Sequence, residues 1–197
     1  AKQVGIRGDR IRVIHPGTTL PGENEGTGRD FRESHGLGNR PILLAVGRLT
    51  ARKGLEEFIC QALPELVLEY PEAVLVVIGG EAIDAISGGG NSRRATLSKL
   101  AKRFGISGNL KFIGSCSDAE LHDAYHAANV HVFPGIEIPG DVEGFGMVAI
   151  EAAARGLPTV GFAVGGIPDA VSDGISGKLV SPGDYQDLVR QVGRILA

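Results

Sequence analysis

Three stretches of this chain carry side chains whose types and spacing suit work on an anionic ligand. The first is Gly47-Arg48-Leu49-Thr50-Ala51-Arg52-Lys53-Gly54, just ahead of a long helical pattern. Arg48, Arg52 and Lys53 crowd a helix N-terminus, where the macrodipole disfavours cations. A bound anion would resolve that conflict; a diphosphate suits, with Arg as a forked donor and Lys as a point charge. The alternative is a solvated basic loop. The second stretch is Glu143-Gly144-Phe145-Gly146-Met147-Val148-Ala149-Ile150-Glu151. Its glycines precede an apolar helix, so the amides of Phe145, Gly146, Met147 and Val148 should be free to receive an anion. Glu151 lies on a helix that is apolar nearly all round, and a bare buried carboxylate costs several kcal/mol. Ligand hydroxyls are one partner for it; a core Arg or Lys is the other. Eight residues separate the two carboxylates, about 12 Å if helical. They suit opposite ends of one long ligand better than a paired-carboxylate hydrolase site. The third stretch, Gly79-Gly80, follows an apolar run, where glycine admits a ligand or simply makes a tight turn.

Other signals carry less. Gly144-x-Gly146-x-x-Ala149 matches a dinucleotide fingerprint, but Pro134–Val142 separates it from the nearest strand, and no acidic residue ends a strand about 20 positions on. Gly174-x-x-Gly177-Lys178 lacks the spacing and the Ser/Thr of a phosphate-binding P-loop. His122 and His126 share a helix face without a third metal ligand, which reads as a solvated face. No Ser-His-Asp arrangement is visible.

The elements that must position these residues follow from periodicity. Ile42–Val46 is a continuous apolar run, as in a strand buried on both faces. Leu55, Phe58, Ile59, Ala62, Leu63, Leu66, Val67 and Tyr70 form a helical stripe, which Pro64 should kink near Cys60–Gln61. Further strands are predicted at Ala73–Ile78, Asn109–Ile113, Val130–Phe133, Pro158–Phe162 and Ile175–Val180. The helices between them fall at Arg93–Phe104, Asp118–Ala128, Gly146–Arg155, Ile167–Ser172 and Asp184–Leu196. Repeated alternation of this kind means an α/β fold, a doubly wound, Rossmann-like parallel sheet with helices on both faces. Residues 41–197 make up that domain. Residues 1–40 read as an interdomain linker and polar loop, with one short strand candidate at Ile11–Ile14. Ala1–Gly8 has no starting methionine and reads as the tail of a preceding segment, so the chain is expected to be a fragment. Gly88-Gly89-Gly90 reads as a flexible loop.

Composition bounds the partners. The chain has 197 residues, 43% hydrophobic and 22% charged, enough for one domain with a large core and too little charge bias for disorder. Its net charge is −3 and it has no basic stripe, which argues against nucleic acid. Cys60 and Cys116 make neither a disulfide framework nor a metal knuckle, and read as small buried apolar residues. No apolar run reaches the roughly 18 residues of a membrane helix and no signal peptide opens the chain, so the expected compartment is cytoplasmic.

Taken in order, the motifs resemble those of the retaining GT-B glycosyltransferases, closest to the bacterial lipid and cell-envelope members of carbohydrate-classification family 4. The resemblance runs from about Pro41 to the C-terminus. It comprises Val46-Gly47-Arg48-Leu49 with Lys53-Gly54, then Ile78-Gly79-Gly80, Phe112-Ile113-Gly114, Glu143-x7-Glu151, Gly156-Leu157-Pro158-Thr159-Val160 and Gly165-Gly166-Ile167-Pro168-Asp169. It implies that Arg48 and Lys53 bind the diphosphate of a GDP- or UDP-linked sugar, neutralising the leaving group. Glu151 would bind the ribose and Glu143 would act at the reaction centre, as the catalytic residue. The backbone of Gly47 and of Phe145–Val148 would contact sugar and phosphate, and Ser115–Cys116 would line the base pocket. Neither a metal nor a cofactor is implied. Three features depart from the pattern. Asp169 replaces a usual Glu, the stretch Gly135–Val142 is long, and His15 takes an unusual place in the linker-like Ile14-His15-Pro16-Gly17. An Asp-Val-Glu-Gly ending like that of residues 141–144 occurs in mannosyltransferases of mannoside-lipid synthesis and slightly favours mannose.

The sequence therefore reads as the donor half of a retaining hexosyltransferase, inactive by itself. Its partners are a nucleotide sugar and an N-terminal acceptor domain outside this chain, through which any membrane contact would run. The alternatives are a nucleotide-sugar 2-epimerase-like enzyme of the same architecture and a non-catalytic nucleotide-binding module.

Overall fold

The computed structural model describes residues 12–22, 26–81 and 92–197. Ala1–Gly8 and Gly88–Gly90 lie outside the described residues. Six parallel strands form one sheet in the order β3-β2-β1-β4-β5-β6: β1 (Ile42–Val46), β2 (Val74–Ile78), β3 (Leu110–Gly114), β4 (Val130–Phe133), β5 (Thr159–Phe162) and β6 (Gly177–Val180). The helices are α1 (Arg29–Ser34), α2 (Leu55–Gln61), α3 (Leu63–Glu69), α4 (Arg93–Arg103), α5 (Asp118–Ala127), α6 (Met147–Ala154), α7 (Ile167–Ala170) and α8 (Tyr185–Leu196). This is the doubly wound α/β architecture that the alternation required.

Strand side chains alternate between two apolar layers, so every central strand is covered on both faces. Leu43, Ala45, Leu75, Val77, Val130, Val132, Val160 and Phe162 share one core with Phe58, Leu63, Leu97 and Leu188 of α2, α3, α4 and α8. On the other face, Ile42, Leu44, Val74 and Val76 pack with Phe31 of α1, Tyr125 of α5 and Ala152 of α6. A smaller cluster of Phe133, Ala149, Ile167 and Ala170 lies under α6 and α7.

Two expectations change. The long helix from Leu55 breaks into α2 and α3 at Ala62, just past the expected kink at Cys60–Gln61. Pro64 has no amide to continue the first helix and instead occupies the first turn of the second. Residues 1–40, read as interdomain linker and polar loop, contain α1. Phe31 and Leu37 are buried in the core, and the Arg32 guanidinium donates to the carbonyls of Gly38 and Arg40, each at 2.9 Å. Residues 28–40 are thus part of the packed unit. Residues 12–14, inside the strand candidate Ile11–Ile14, form no strand, and Val13 and Ile14 are exposed.

Candidate active site

In this strand order β1 and β4 are neighbours, yet their connections run to opposite sides of the sheet. The diverging loops leave a crevice at the carboxyl ends of these strands, the usual ligand site of open α/β sheets. Gly47, Lys53, Phe133 and Pro134 are among the residues that line it.

The loop after β1 winds into a 3-10 turn at Ala51–Lys53, and Gly54 then starts α2. That turn aims two cations across the crevice. Lys53 Nζ stands 4.5 Å above the Phe133 ring centroid and 2.9 Å from Glu143 Oε2. Arg52 Nε donates to the same Oε2 at 3.3 Å. Arg52 Nη1 donates to Asp141 Oδ1 and to Thr50 Oγ1, both at 3.2 Å. The Lys53 and Glu143 side chains are each 12% exposed, so water screens their attraction little. Burial pulls the Lys53 ammonium below its ordinary pKa, and the bond to Glu143 partly opposes that. Two of the three loop cations therefore have internal anions as partners, which the sequence reading had assigned to a ligand. Arg48 is exposed. The Gly47 amide donates to the Ile78 carbonyl at 2.8 Å. Gly47 also lets the Lys53 side chain cross above it, where a Cβ would come within 3.0 Å of Cε.

Glu143 is held from behind, its carbonyl accepting the Gly166 amide at 2.9 Å. The chain then turns through Gly146, at φ 88° and with Phe133 so close that a Cβ would lie 2.9 Å from its ring. Helix α6 starts at the next residue. Among the described residues, no acceptor is bonded to the amides of Phe145, Gly146, Met147 or Val148, which leaves them aligned at the positive end of the α6 dipole. One turn further, Tyr125 Oη donates to Glu151 Oε2 at 2.9 Å. A phenol is thus one partner of this half-buried carboxylate, and the buried Arg155 guanidinium, one turn on, donates to the Glu151 carbonyl at 3.3 Å. Burial and Glu151 raise the Tyr125 pKa, which keeps the phenol a neutral donor.

Ser115 and Cys116 follow β3 at the same carboxyl edge. Ser115 Oγ lies beside Gly80, 3.0 Å from where a Cβ there would stand. Gly79 is explained by packing, since a Cβ on it would meet the Gly47 carbonyl at 2.0 Å. Cys60 and Cys116, expected to be buried, are free and half-buried, and burial raises both thiol pKa values. His122 and His126 are half-buried rather than solvated. Asp123 between them accepts the Gly28 amide at 3.3 Å.

Sequence reasoning missed three of the residues involved. Asp141 and the brace it gives Arg52 lay inside a loop noted only for its length, and opposite charges offered a signal. Nothing in the sequence pairs Tyr125 with Glu151. The third is His131, fully buried on β4 beside Phe133. Its Nδ1 is 3.0 Å from Thr159 Oγ1, while its Nε2 has no hydrogen-bond partner among the described residues. Burial, helped by the Lys53 charge, pushes its pKa down to about 3.

Comparison with known proteins agrees with this geometry. The family model described as Glycosyl transferases group 1 matches residues 28–197. A D-inositol 3-phosphate glycosyltransferase 2 of Catenulispora acidiphila is 38% identical, over 91% of this chain and 42% of its own length. A GDP-mannose-dependent alpha-(1-6)-phosphatidylinositol monomannoside mannosyltransferase of Mycolicibacterium smegmatis is 35% identical, over 85% and 41%. This chain thus spans about two fifths of the length of these relatives. Among solved structures, Anabaena HepE in complex with UDP and glucose superposes with a TM-score of 0.78 at 22% identity, over 99% of this chain and 50% of that one. Sucrose-phosphate synthase from Thermosynechococcus elongatus superposes with a TM-score of 0.68 at 34% identity, over 85% and 39%. With a family match over most of its length and the fold to accompany it, the chain belongs to the glycosyl transferases group 1 family.

Proposed function

We propose that this chain supplies the donor site of a retaining glycosyltransferase, which moves a hexose from a nucleotide-diphosphate sugar to an acceptor. The observation that carries the reading is the meeting of Lys53 and Glu143 in the β1/β4 crevice, beside the unbonded amides that open α6. A diphosphate in that crevice takes Lys53, the exposed Arg48 and the α6 amides as its counter-charges. These stabilise the charge that grows on the leaving group as the glycosidic bond breaks, so no metal is assigned a part. Glu143 then faces the sugar at the reacting carbon. Glu151, oriented by Tyr125, accepts from the ribose hydroxyls. Ser115 and Cys116, across the sheet edge, border the base.

The names of the relatives support a hexosyl donor, and the GDP-mannose-dependent relative supports mannose. The HepE complex with UDP and glucose supports a nucleotide diphosphate in this fold. We assign acceptor binding to a second domain, corresponding to the part of the relatives that this chain does not match. The chain alone then binds a nucleoside diphosphate but transfers no sugar, because transfer needs the acceptor held and water excluded. Thermal shift with GDP, UDP and NAD, beside a sensitive transfer assay, tests this. A nucleoside diphosphate at about 100 times its Kd should stabilise the fold by about 2.7 kcal/mol. Stabilisation by NAD alone would point to a different nucleotide-binding module, and robust transfer by the isolated chain would refute the division of labour.

A further inference from the structure

The basic turn and the acidic loop opposite it are joined more closely than a ligand site alone requires. The Arg52 carbonyl accepts the Ile136 amide at 2.9 Å, so the two segments are tied through the backbone. Side chains repeat the tie. The Arg52 guanidinium has three acceptors, Thr50, Asp141 and Glu143, and planar Arg geometry fixed in this way is hard to displace. Lys53 is held differently. Its ammonium is a single charge on a flexible stem, with one anion, Glu143, and the Phe133 ring as its neighbours. Both cations meet on one oxygen, Glu143 Oε2. Either could leave Glu143 paired with the other, but Arg52 is held by two further acceptors and Lys53, among the described residues, by none, so Lys53 is the cation free to move.

We propose that Glu143 is an internal anion that competes with the donor diphosphate for Lys53, and that Arg52, braced by Asp141, is the positioning residue that retains Glu143 when Lys53 transfers to phosphate. This rests on the donor-site reading above. The exchange swaps one ion pair for another: Lys53 moves from carboxylate to phosphate, and Glu143 keeps Arg52 and stays beside the sugar. No buried charge is left alone at any stage, which is the condition under which breaking a buried pair is tolerable. The arrangement makes the affinity of the site a difference between two anions for one cation.

Calorimetry on this chain, with GDP, UDP and inorganic pyrophosphate as probes, tests the exchange. Glu143→Gln removes the competitor and should bind the probe that wild type binds about five- to tenfold more tightly, within the usual range of a coupling between sites. Arg52→Gln leaves Lys53 as the sole partner of Glu143 and should weaken binding by a similar factor. In the Glu143→Gln background the Arg52→Gln change should have no further effect, because there is no carboxylate left to hold. A merely structural Arg52 would weaken binding in both backgrounds. Asp141→Asn, at a half-exposed carboxylate, should shift binding in the direction of Arg52→Gln and serves if the larger changes impair folding. Equal or weaker binding by Glu143→Gln, with wild type binding normally, overturns the exchange and leaves the donor site standing. Absence of binding by wild type and by Glu143→Gln alike overturns both. Binding of a probe by Glu143→Gln where wild type binds none supports the exchange.

Discussion

His131 gives the fold a built-in sensitivity to acid whose size follows from its surroundings. The imidazole is fully buried on β4, with Thr159 on one nitrogen and, among the described residues, no partner on the other. Its pKa is pushed down to about 3, mainly by burial and then by the Lys53 charge. In the unfolded chain the same side chain titrates near 6.5. Above that pH neither state binds the proton. As pH falls below it, the unfolded state takes the proton and the folded state does not, so stability is lost until the folded value is reached. Between pH 7.5 and pH 5.0 the loss from this one group amounts to about 2 kcal/mol. Replacing His131 and Thr159 together by Val places strand-favouring β-branched residues at both positions and removes both members of the hydrogen bond. Urea titrations of wild type and the double variant at the two pH values would measure the effect, since losses from carboxylates shared by both proteins cancel in the comparison. Wild type should lose about 2 kcal/mol more than the variant over this range. Equal losses would show that His131 is not held neutral by its burial and would refute the argument.

In the full-length enzyme, Arg48→Ala and Lys53→Ala should each weaken donor use by about 1.5–3 kcal/mol, the range for hydrogen bonds to charged groups. Unchanged turnover and donor affinity in either variant would remove that residue from the diphosphate site. Glu151→Gln should raise the Kd for the nucleoside diphosphate, while Glu143→Gln should mainly lower kcat. Steady-state kinetics showing the reverse division would sink both roles. Tyr125→Phe should cost about 1–3 kcal/mol of stability, by leaving Glu151 short of a donor, and a chemical melt reads it directly. Gly146→Ala should also destabilise, by about 1–3 kcal/mol, because φ is 88° there and the Phe133 ring blocks the new methyl. A melting temperature equal to that of wild type would show that the turn into α6 is not strained.

The sequence by itself determined what is local. Continuous apolar runs marked strands covered on both faces, and all six appear within two residues of their expected bounds, with Ile42–Val46 and Val130–Phe133 matching at both ends. Pro64 announced the break between α2 and α3, because a missing amide acts on its own helix and on nothing distant. The glycine turn before Met147 likewise showed where α6 begins. Helix α1 escaped notice because it is six residues long, with too few apolar positions to show a period. What fixes it is contact with the far side of the core, through Phe31, Leu37 and the bonds of Arg32. Pairings between distant residues were decided only by the tertiary structure. Once β4 lies beside β1, Lys53 and Glu143 meet across 90 positions of chain and Arg52 finds Asp141. The packing of α5 beside α6 then brings the Tyr125 hydroxyl to Glu151. Charge and polarity state that a buried group needs a partner, but many partners satisfy that need equally in sequence. The order of strands selects among them, because it alone sets which loops share an edge and which side chains are shut away from water together.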